Sequence, residues 1–329
     1  MSPKSPPRSD PPGVLSRREL LRRGALGCAV AWSSRPALAE LGELFDPAAP
    51  RVVEVVGENL FAGNVARLSV LDDMLVTGLR TLSGQRDAGA AWRAWLKDDD
   101  IIGIKFNGSG AETIGTSPLL APRIVESLVG AGFDPQRIVL LEAGPQPDLA
   151  HATREPEWRF SGKQHDFGCG RDSFAGFVDQ VTAIINVPFL KTHHSAVMSG
   201  CMKNLSHGLI AHPARFHGNG CDPAIGAIVA APPIRTRLRL NIVNALRVVT
   251  DRGPAARAED VMPFHGLILA LDPVAGDAVG YDVLNRLRGM RKLRPLLPLP
   301  HVPPQLRTAH ARGAGQFDLD RIDWRRMRV

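Results

Sequence analysis

The densest group of side chains able to carry out chemistry lies between Lys191 and Asp222. Five of the ten histidines of the chain fall between His193 and His217. Imidazole and thiolate groups are ligands of divalent transition metals, and clustered lysines and histidines also attract anions. The candidate metal ligands in this segment are His193, His207, His212, His217, Cys201 and Cys221.

The spacing of these candidate ligands leaves two interpretations open. His207, His212 and His217 recur every five residues, which fits neither one face of a helix nor the HExxH pattern. At least two of the three therefore lie on loops. Cys201 and Cys221 lack the CxxC spacing typical of structural zinc. Either the segment binds a divalent transition metal, or its histidines are hydrogen-bonding loop residues.

A pair of basic residues in the same segment favours an anion. A helix is predicted from Ser195 to His207, and Lys203 and His207 are four residues apart on it, so both side chains lie on one face. Opposite charges are missing from that face. A small anion is therefore the natural complement.

Polar residues also end four of the predicted strands. In an open parallel sheet, ligands bind beyond the carboxyl ends of the strands, so we expect these residues to line a single cleft. They are Lys105 with Asn107, Glu142, Lys191 with His193, and Asp272.

Three of these strand-end residues have structural alternatives. Asp272 precedes Pro273, which is the pattern of a helix N-cap followed by proline at the first helical position. Glu142 would serve equally well as a solvated turn residue. Lys105 lies between two apolar residues, so its ammonium must either reach solvent or meet an anion.

Short β-branched runs alternate with longer segments of helical period, which is typical of βαβ units. The predicted strands are Arg51–Val56, Asp100–Phe106, Arg137–Leu141, Val181–Val187, a run within Leu238–Thr250, and Gly266–Leu271. The predicted helices lie near Val65–Leu82, Gly89–Leu96, Pro118–Gly130, Ser195–His207 and Pro273–Arg288. Nearly continuous apolar strands indicate burial on both faces. The sequence therefore predicts an α/β fold, with a mostly parallel sheet covered by helices in a single domain.

Long insertions and two terminal segments extend this domain. Gln146–Gly176 and Gly208–Pro233 exceed the usual length of a connecting loop. We predict a signal peptide over residues 1–39, the α/β domain over residues 40–281 and a basic C-terminal extension over residues 282–329. The extension is expected to be solvated and to wrap partly around the domain, with contact to an anionic surface as the alternative.

The N-terminal segment has the parts of a twin-arginine signal peptide in the expected order. Arg17-Arg18 is followed by a weakly apolar run from Gly24 to Trp32 and by the small-x-small cleavage site Ala37-Leu38-Ala39. The alternative is a basic arm without a targeting role. The apolar run is too short to span a bilayer, which needs about 20 residues. We therefore expect the twin-arginine export machinery as a partner, cleavage near Ala39, and a soluble periplasmic protein with no stable membrane anchor.

The formal charge of +7 is not a sign of nucleic-acid binding. Residues 1–39 carry seven Lys and Arg against two acids, and residues 282–329 carry 11 against four. The body between them is acidic, with 22 bases against 27 acids. Because the positive excess is confined to the two ends, we expect no nucleic-acid partner.

Three cysteines remain after the expected processing: Cys169, Cys201 and Cys221. An odd number cannot all pair internally in an oxidising compartment, so one disulfide and one free thiol are expected. Cys169 lies in a Gly-flanked loop beside Arg171, where a reactive thiolate is the alternative. The lack of CxxC, of ferredoxin-like cysteine runs and of GxSxG argues against thioredoxin-type redox chemistry, iron–sulfur electron transfer and α/β-hydrolase activity.

Four motifs spread between residues 101 and 280 carry a family resemblance. They are IIGIKFN at residues 101–107, INVPFLKTH at 185–193, CMKNL at 201–205 and ALDPVAGDAVG at 270–280. Together they resemble the family called domain of unknown function 362, which implies an α/β domain, often exported or found with iron–sulfur modules, whose activity is not established. The resemblance marks as family-like polar positions Lys105, Lys191, His193, Lys203, Asn204, Asp272 and Asp277. The chain departs from the family in lacking the ferredoxin module of some members and in carrying Asn244 where an aspartate is expected.

Two functional hypotheses account for these residues. In the first, the protein is an enzyme with a Lys/His/Asp cleft that acts on a small anionic substrate, with a divalent transition metal as a candidate cofactor. The candidate catalytic residues are Lys191, His193, Lys105 and Asp272, and the candidate substrate-binding residues are Asn107, Lys203, Asn204 and Glu142. The lysines would hold the anionic group, and His193 would act as general acid/base or metal ligand. In the second hypothesis, the same cations capture an anion or a metal without catalysis.

Overall fold

The computed structural model describes residues 49–146, 149, 151, 153–255 and 257–329. The twin-arginine motif, the apolar run and the cleavage site lie outside the described residues. Within the described ranges, nine strands form one mixed sheet flanked by helices. Five strand pairings in this sheet are parallel and three are antiparallel. The predicted α/β fold with a mostly parallel sheet is confirmed.

The strands include all six that the sequence predicts. In chain order they are β1 (Arg51–Val56), β2 (Phe61–Ala62), β3 (Val65–Ala66), β4 (Ile102–Lys105), β5 (Ile138–Leu141), β6 (His165–Asp166), β7 (Arg171–Asp172), β8 (Ala183–Asn186), β9 (Phe189–His193), β10 (Val197–Ser199), β11 (Leu238–Val249), β12 (Val261–Ala270) and β13 (Asp323–Arg328). The main sheet has the order β13-β1-β12-β11-β8-β4-β5, with β9 beside β11 and β10 beside β9. Two small hairpins, β2–β3 and β6–β7, stand apart from it.

The helices mostly connect these strands. In chain order they are α1 (Leu68–Ser83), α2 (Ala88–Arg93), α3 (Ala111–Ile114), α4 (Ser117–Gly130), α5 (Gly176–Gln180), α6 (Cys201–Ser206), α7 (Ala224–Val229), α8 (Pro232–Arg235), α9 (Pro273–Met290) and α10 (Pro304–Ala311). Helix α1 ends at Ser83, and its C-cap Gly84 has a left-handed φ of 72°, a conformation that glycine adopts at low cost. No described helix is both long enough and apolar enough to cross a membrane.

Helices cover both faces of the sheet at β12. A Cβ atom at Gly78 of α1 would lie 2.6 Å from the Leu269 side chain, and one at Gly276 of α9 would lie 3.4 Å from the Cβ of Ala270. Leu269 and Ala270 are adjacent in β12, so their side chains point to opposite faces. The strands between the two helices are therefore buried on both sides, which agrees with their apolar sequences.

The predicted helix from Ser195 to His207 is wrong over its first half. Residues Val197–Ser199 form β10, which pairs antiparallel with β9, and only Cys201–Ser206 are helical. Val197 has a φ of 67°, a left-handed value that ends any continuous helix at this point. The hairpin places the end of β9 beside the start of α6.

The basic segment 282–329 contributes to the main sheet. Its last strand, β13, pairs in parallel with β1 along six residues, from Arg51 opposite Asp323 to Val56 opposite Arg328. The segment also contains α10, whose buried face includes Leu306 and Ala309. The strand completes one edge of the sheet rather than lying free in solvent.

Candidate functional site

The site is built at the carboxyl ends of β4, β5 and β9. Lys105 ends β4 and is fully buried. Its Nζ donates hydrogen bonds to the Phe106 carbonyl oxygen at 2.6 Å, to Glu142 Oε2 at 2.9 Å and to Asn204 Oδ1 at 3.0 Å. Burial lowers the pKa of Lys105, and the Glu142 carboxylate opposes that decrease. All three ammonium donors therefore have partners within the protein, which makes Lys105 a fixed part of the site.

Glu142 follows β5 and is the ion-pair partner of Lys105. Its Oε2 also accepts a hydrogen bond from the Gly108 amide at 2.8 Å. The φ of Glu142 is 57°, a conformation uncommon for a residue other than glycine. This carboxylate thus links β4, β5 and the loop after β4, a more definite role than that of a solvated turn residue.

A chain of hydrogen-bonded asparagine side chains runs from the partner of Lys105 into the buried sheet. Asn204 Nδ2 donates to Asn186 Oδ1 at 2.8 Å, and Asn186 Nδ2 donates to Asn241 Oδ1 at 2.8 Å. Asn241 Nδ2 then donates to the Ala270 carbonyl oxygen at 3.0 Å. Asn186 and Asn241 were not among the predicted site residues. The available signal was one asparagine in each of two apolar strands, which the register places directly opposite each other.

Lys191 lies in β9 and is almost completely buried. Its Nζ donates to the Ser109 carbonyl oxygen at 2.5 Å and lies 3.4 Å from Asn107 Oδ1. Burial lowers the pKa of Lys191 to about 8; Lys203 and Lys105 add to the decrease and Glu142 opposes it. In the described part of the chain, no carboxylate lies within salt-bridge distance of this ammonium group.

Lys203 projects from α6 and is also buried. Its Nζ lies 3.2 Å from Nε2 of His217. Burial lowers the pKa of Lys203 to about 8, and Cys221 opposes that decrease. Among the described acidic residues, none forms an ion pair with Lys203. We call Lys105, Lys191 and Lys203 the lysine cluster; only Lys105 has a carboxylate partner.

His193 faces this cluster in a defined tautomer. Its Nδ1 accepts hydrogen bonds from the backbone amides of Ser195 at 3.1 Å and Ala196 at 3.2 Å, so the neutral ring carries its proton on Nε2. Burial lowers the pKa of His193 to about 3, and the charge of Lys203 contributes. The ring stacks on His194 and His217, with centroids 4.9 and 5.9 Å away. His193 is therefore a neutral hydrogen-bond donor at neutral pH.

Three of the six candidate metal ligands come together. The ligand atoms of His207, His217 and Cys221 all lie within 4.8 Å of one another. The His207 and His217 rings are in edge contact, with centroids 4.7 Å apart. Lys203 in α6 and His207, the C-cap of α6, both contact His217. This agrees with the prediction that the two side chains lie on one face. We call His207, His217 and Cys221 the His–Cys trio.

The other three candidates lie outside the trio for separate reasons. His193 uses Nδ1 to accept backbone amides, as described above. His212 is largely exposed, and its Nδ1 lies 3.0 Å from Asp172 Oδ1. Cys201 is buried beneath α9, where its Sγ would lie 3.1 Å from a Cβ at Gly276.

The expected disulfide is not formed. Cys169, Cys201 and Cys221 are all free thiols; Cys169 is largely exposed, and Cys201 and Cys221 are buried. Partial burial raises the pKa of Cys169, although Arg312 opposes the increase. A raised thiol pKa is the reverse of what a reactive thiolate requires.

Asp272 does not join the lysine cluster. Its carboxylate caps α9 by accepting from the amides of Val274 at 2.7 Å and Ala275 at 3.0 Å, and it also accepts from Gln316 at 2.8 Å. The reason is topological: β12 runs antiparallel to β11, which is parallel to β8, so the chain leaves Ala270 in the direction opposite to that in which β4 and β8 end. The structure thus supports the N-cap interpretation of Asp272.

Asp277, in α9, fixes the position of α6. Its carboxylate in α9 accepts from the amides of Cys201 at 2.5 Å and Met202 at 3.0 Å, the first two residues of α6. Burial raises the pKa of Asp277 to about 7, and these amide bonds oppose the increase. Asp277 is a positioning residue, because α6 carries Lys203 and Asn204 into the site.

These features define an α/β protein with a buried, cation-rich site at the carboxyl edge of a mostly parallel sheet. A family model described as Domain of unknown function (DUF362) matches residues 148–282. The matched segment includes Lys191, Lys203 and the whole His–Cys trio, whereas Lys105 and Glu142 precede it. The match supports assignment of this segment to that domain family. A search of curated proteins found no match.

Proposed function

We propose that this protein is an enzyme that acts on a small anionic substrate at the lysine cluster. The observation that carries the proposal is the pair of buried ammonium groups on Lys191 and Lys203, which have no carboxylate partner among the described residues. Buried charges are normally paired, because removing a charge from water is costly. A bound anion would supply the missing partner.

The residues take binding, positioning and proton-moving roles, and Lys191 takes both the first and the last. Lys191 and Lys203 bind the anionic group, and the Nε2–H of His193 donates a further hydrogen bond. Lys105 and Asn204 bond to each other, which ties α6, the helix that carries Lys203, to the end of β4. Lys191 is the candidate general acid/base, because a pKa of about 8 lies close to neutral pH. Asp272 has no part in this scheme.

Calorimetry with inorganic phosphate, sulfate and oxalate tests the binding step. We expect binding by the wild type and at least a tenfold loss in Lys191→Ala and His193→Ala. Lys97→Ala is the control, because Lys97 is an exposed lysine away from the cluster. Unchanged affinities in both cluster variants would contradict the site assignment.

Turnover distinguishes the enzyme from a non-catalytic binding protein. The wild type is incubated with mixed small carboxylates and phosphate monoesters, and the products are followed by NMR. Loss of turnover in Lys191→Ala with retained activity in Lys97→Ala supports catalysis at this site. Binding without turnover of any compound would favour a protein that captures anions.

We further propose export to the periplasm by the twin-arginine route, supported by Arg17-Arg18 and the Ala37-Leu38-Ala39 cleavage pattern. The full chain is expressed in a bacterium that has this pathway, and the exported fraction is examined by N-terminal sequencing. We expect mature protein beginning at Glu40. Lys substitution of both Arg17 and Arg18 should retain the protein in the cytoplasm, whereas Arg8→Lys should not. Equal export of the wild type, the double variant and Arg8→Lys would contradict the proposal.

A further inference from the structure

The His–Cys trio has the donor atoms of a transition-metal site. His207, His217 and Cys221 form the one group of three or more such side chains whose ligand atoms converge within the described residues. Two imidazole nitrogens and one sulfur suit a borderline-soft divalent ion, above all Zn²⁺. Three protein ligands also leave a coordination position for water or substrate.

Hydrogen bonds on the far side of each ring orient the two histidines. His217 Nδ1 lies 2.9 Å from the Pro213 carbonyl oxygen, and His207 Nε2 lies 3.1 Å from the Phe216 carbonyl oxygen. A carbonyl oxygen can only accept, so both of these nitrogens carry the proton. The lone pairs therefore lie on His217 Nε2, 3.2 Å from Lys203 Nζ, and on His207 Nδ1, 3.2 Å from the Ser206 hydroxyl oxygen. Metal-binding histidines almost always have such an outer partner for the second nitrogen.

A tight backbone turn places the Cys221 thiol beside the two histidines. Asn219, Gly220 and Cys221 have φ values of 50°, 67° and 64°, all in the left-handed region. Three successive residues of this kind make a tight turn, which places Cys221 beside His217 four residues earlier. The Cys221 side chain is buried there rather than directed to solvent.

From this geometry we propose that His207, His217 and Cys221 bind one Zn²⁺ ion. The ion would take the lone pair of His217 Nε2 that now faces the Lys203 ammonium at 3.2 Å. Zinc and the ammonium therefore compete for this nitrogen, and Lys203 is released toward the bound anion when zinc binds. That last step rests on the proposed function, whereas the zinc site itself does not.

Zinc and cobalt binding to the full chain test the site. By equilibrium dialysis, we expect one equivalent of Zn²⁺ on the wild type. Cobalt in its place should give a thiolate-to-metal charge-transfer band in the near ultraviolet. Cys221→Ser should abolish the band and weaken zinc binding by at least the roughly 10- to 100-fold that loss of an outer-shell partner causes. Cys169→Ser and Cys201→Ser are matched controls, and both should retain the band.

If Cys221→Ser folds poorly by circular dichroism, His207→Ala tests the same site and should also weaken zinc binding. A wild type that binds no zinc, or a cobalt band that survives in Cys221→Ser, would overturn the site.

Lys203→Met separates the zinc site from the anion site. Removing the competing ammonium should raise zinc affinity, whereas phosphate affinity should fall at least tenfold. A wild type that binds zinc but has no affinity for phosphate leaves the zinc site standing and contradicts only the proposed function. Zinc affinity that falls in Lys203→Met would overturn the inferred competition for His217.

Discussion

The Nζ of Lys203 lies 3.2 Å from Nε2 of His217. This contact joins the lysine cluster to the His–Cys trio, because Lys203 belongs to the first and His217 to the second. His217 Nδ1 is bound to the Pro213 carbonyl oxygen, so Nε2 is the acceptor and the lysine is the donor. A ligand that attracts Lys203 therefore also changes what His217 can bind.

Sulfate binding should weaken as the pH rises through about 8. Burial lowers the pKa of both Lys191 and Lys203 to about 8, so both are mostly charged below that pH and lose their charge above it. A bound anion stabilises the protonated form, which is the form that binds. Calorimetry from neutral to alkaline pH measures the effect, and sulfate is used because its own charge stays constant over this range.

Lys203→Arg provides the control for this pH dependence, since arginine keeps its charge throughout. Its affinity for sulfate should fall less steeply above pH 8 than that of the wild type. Identical pH profiles for the two proteins would exclude Lys203 as a titrating anion ligand.

Asn204→Ala should destabilise the fold. The substitution leaves the Lys105 ammonium with one partner fewer and removes the donor to Asn186 Oδ1. Each buried polar group left unpaired costs about 1–3 kcal/mol, so we expect the free energy of unfolding to fall by at least that amount. Urea denaturation measures it. Asn107→Ala, at a less buried asparagine beside Lys191, should cost less, and equal losses would argue against the amide chain as a support.

Asp277→Asn should change how stability depends on pH. Burial raises the pKa of Asp277 from 3.8 to about 7, so the folded protein binds this proton more tightly than the unfolded chain does. The stabilisation is fully present below pH 3.8 and is lost as the pH rises to about 7. Asparagine does not titrate, so the wild type should lose stability relative to the variant across this window. Parallel curves from denaturation at several pH values would contradict the burial of a titrating carboxyl.

Gly315→Ala should loosen the attachment of the C-terminal segment. A Cβ at Gly315 would collide with the Asp272 carboxylate, which caps α9 and accepts from the Gln316 amide. Such overpacking costs about 1–3 kcal/mol, which thermal or urea unfolding would detect. Gly289→Ala in α9 is the matched control, because a Cβ there meets nothing within 4 Å. It should leave stability unchanged or raise it by up to about 1 kcal/mol. An unchanged free energy of unfolding in Gly315→Ala would contradict the prediction, because it would mean that Asp272 can move aside at no cost.

The sequence alone was sufficient for the α/β class and the six predicted strands, and it identified Lys105 and Glu142 at the ends of two strands that are neighbours in the sheet. Continuous apolar runs identify buried parallel strands, and ligand-binding residues follow their carboxyl ends by a general property of such sheets. These signals are local in the chain. They identify the strands and the residues that end them, but whether two strand ends meet depends on which strands are neighbours.

Strand direction and hydrogen-bond partners were decided only by the tertiary structure. Asp272 follows a strand as the other candidates do, but β12 is antiparallel to β11, so the chain at Asp272 runs away from the lysines. Asn186 and Asn241 lie 55 residues apart, and only the register of β8 with β11 makes them partners. The same holds for the metal candidates, since the left-handed turn at Asn219–Cys221 brings Cys221 back to His207 and His217. Pairing across a sheet and the path of a turn depend on the whole packed chain, so residue spacing alone could not reveal them.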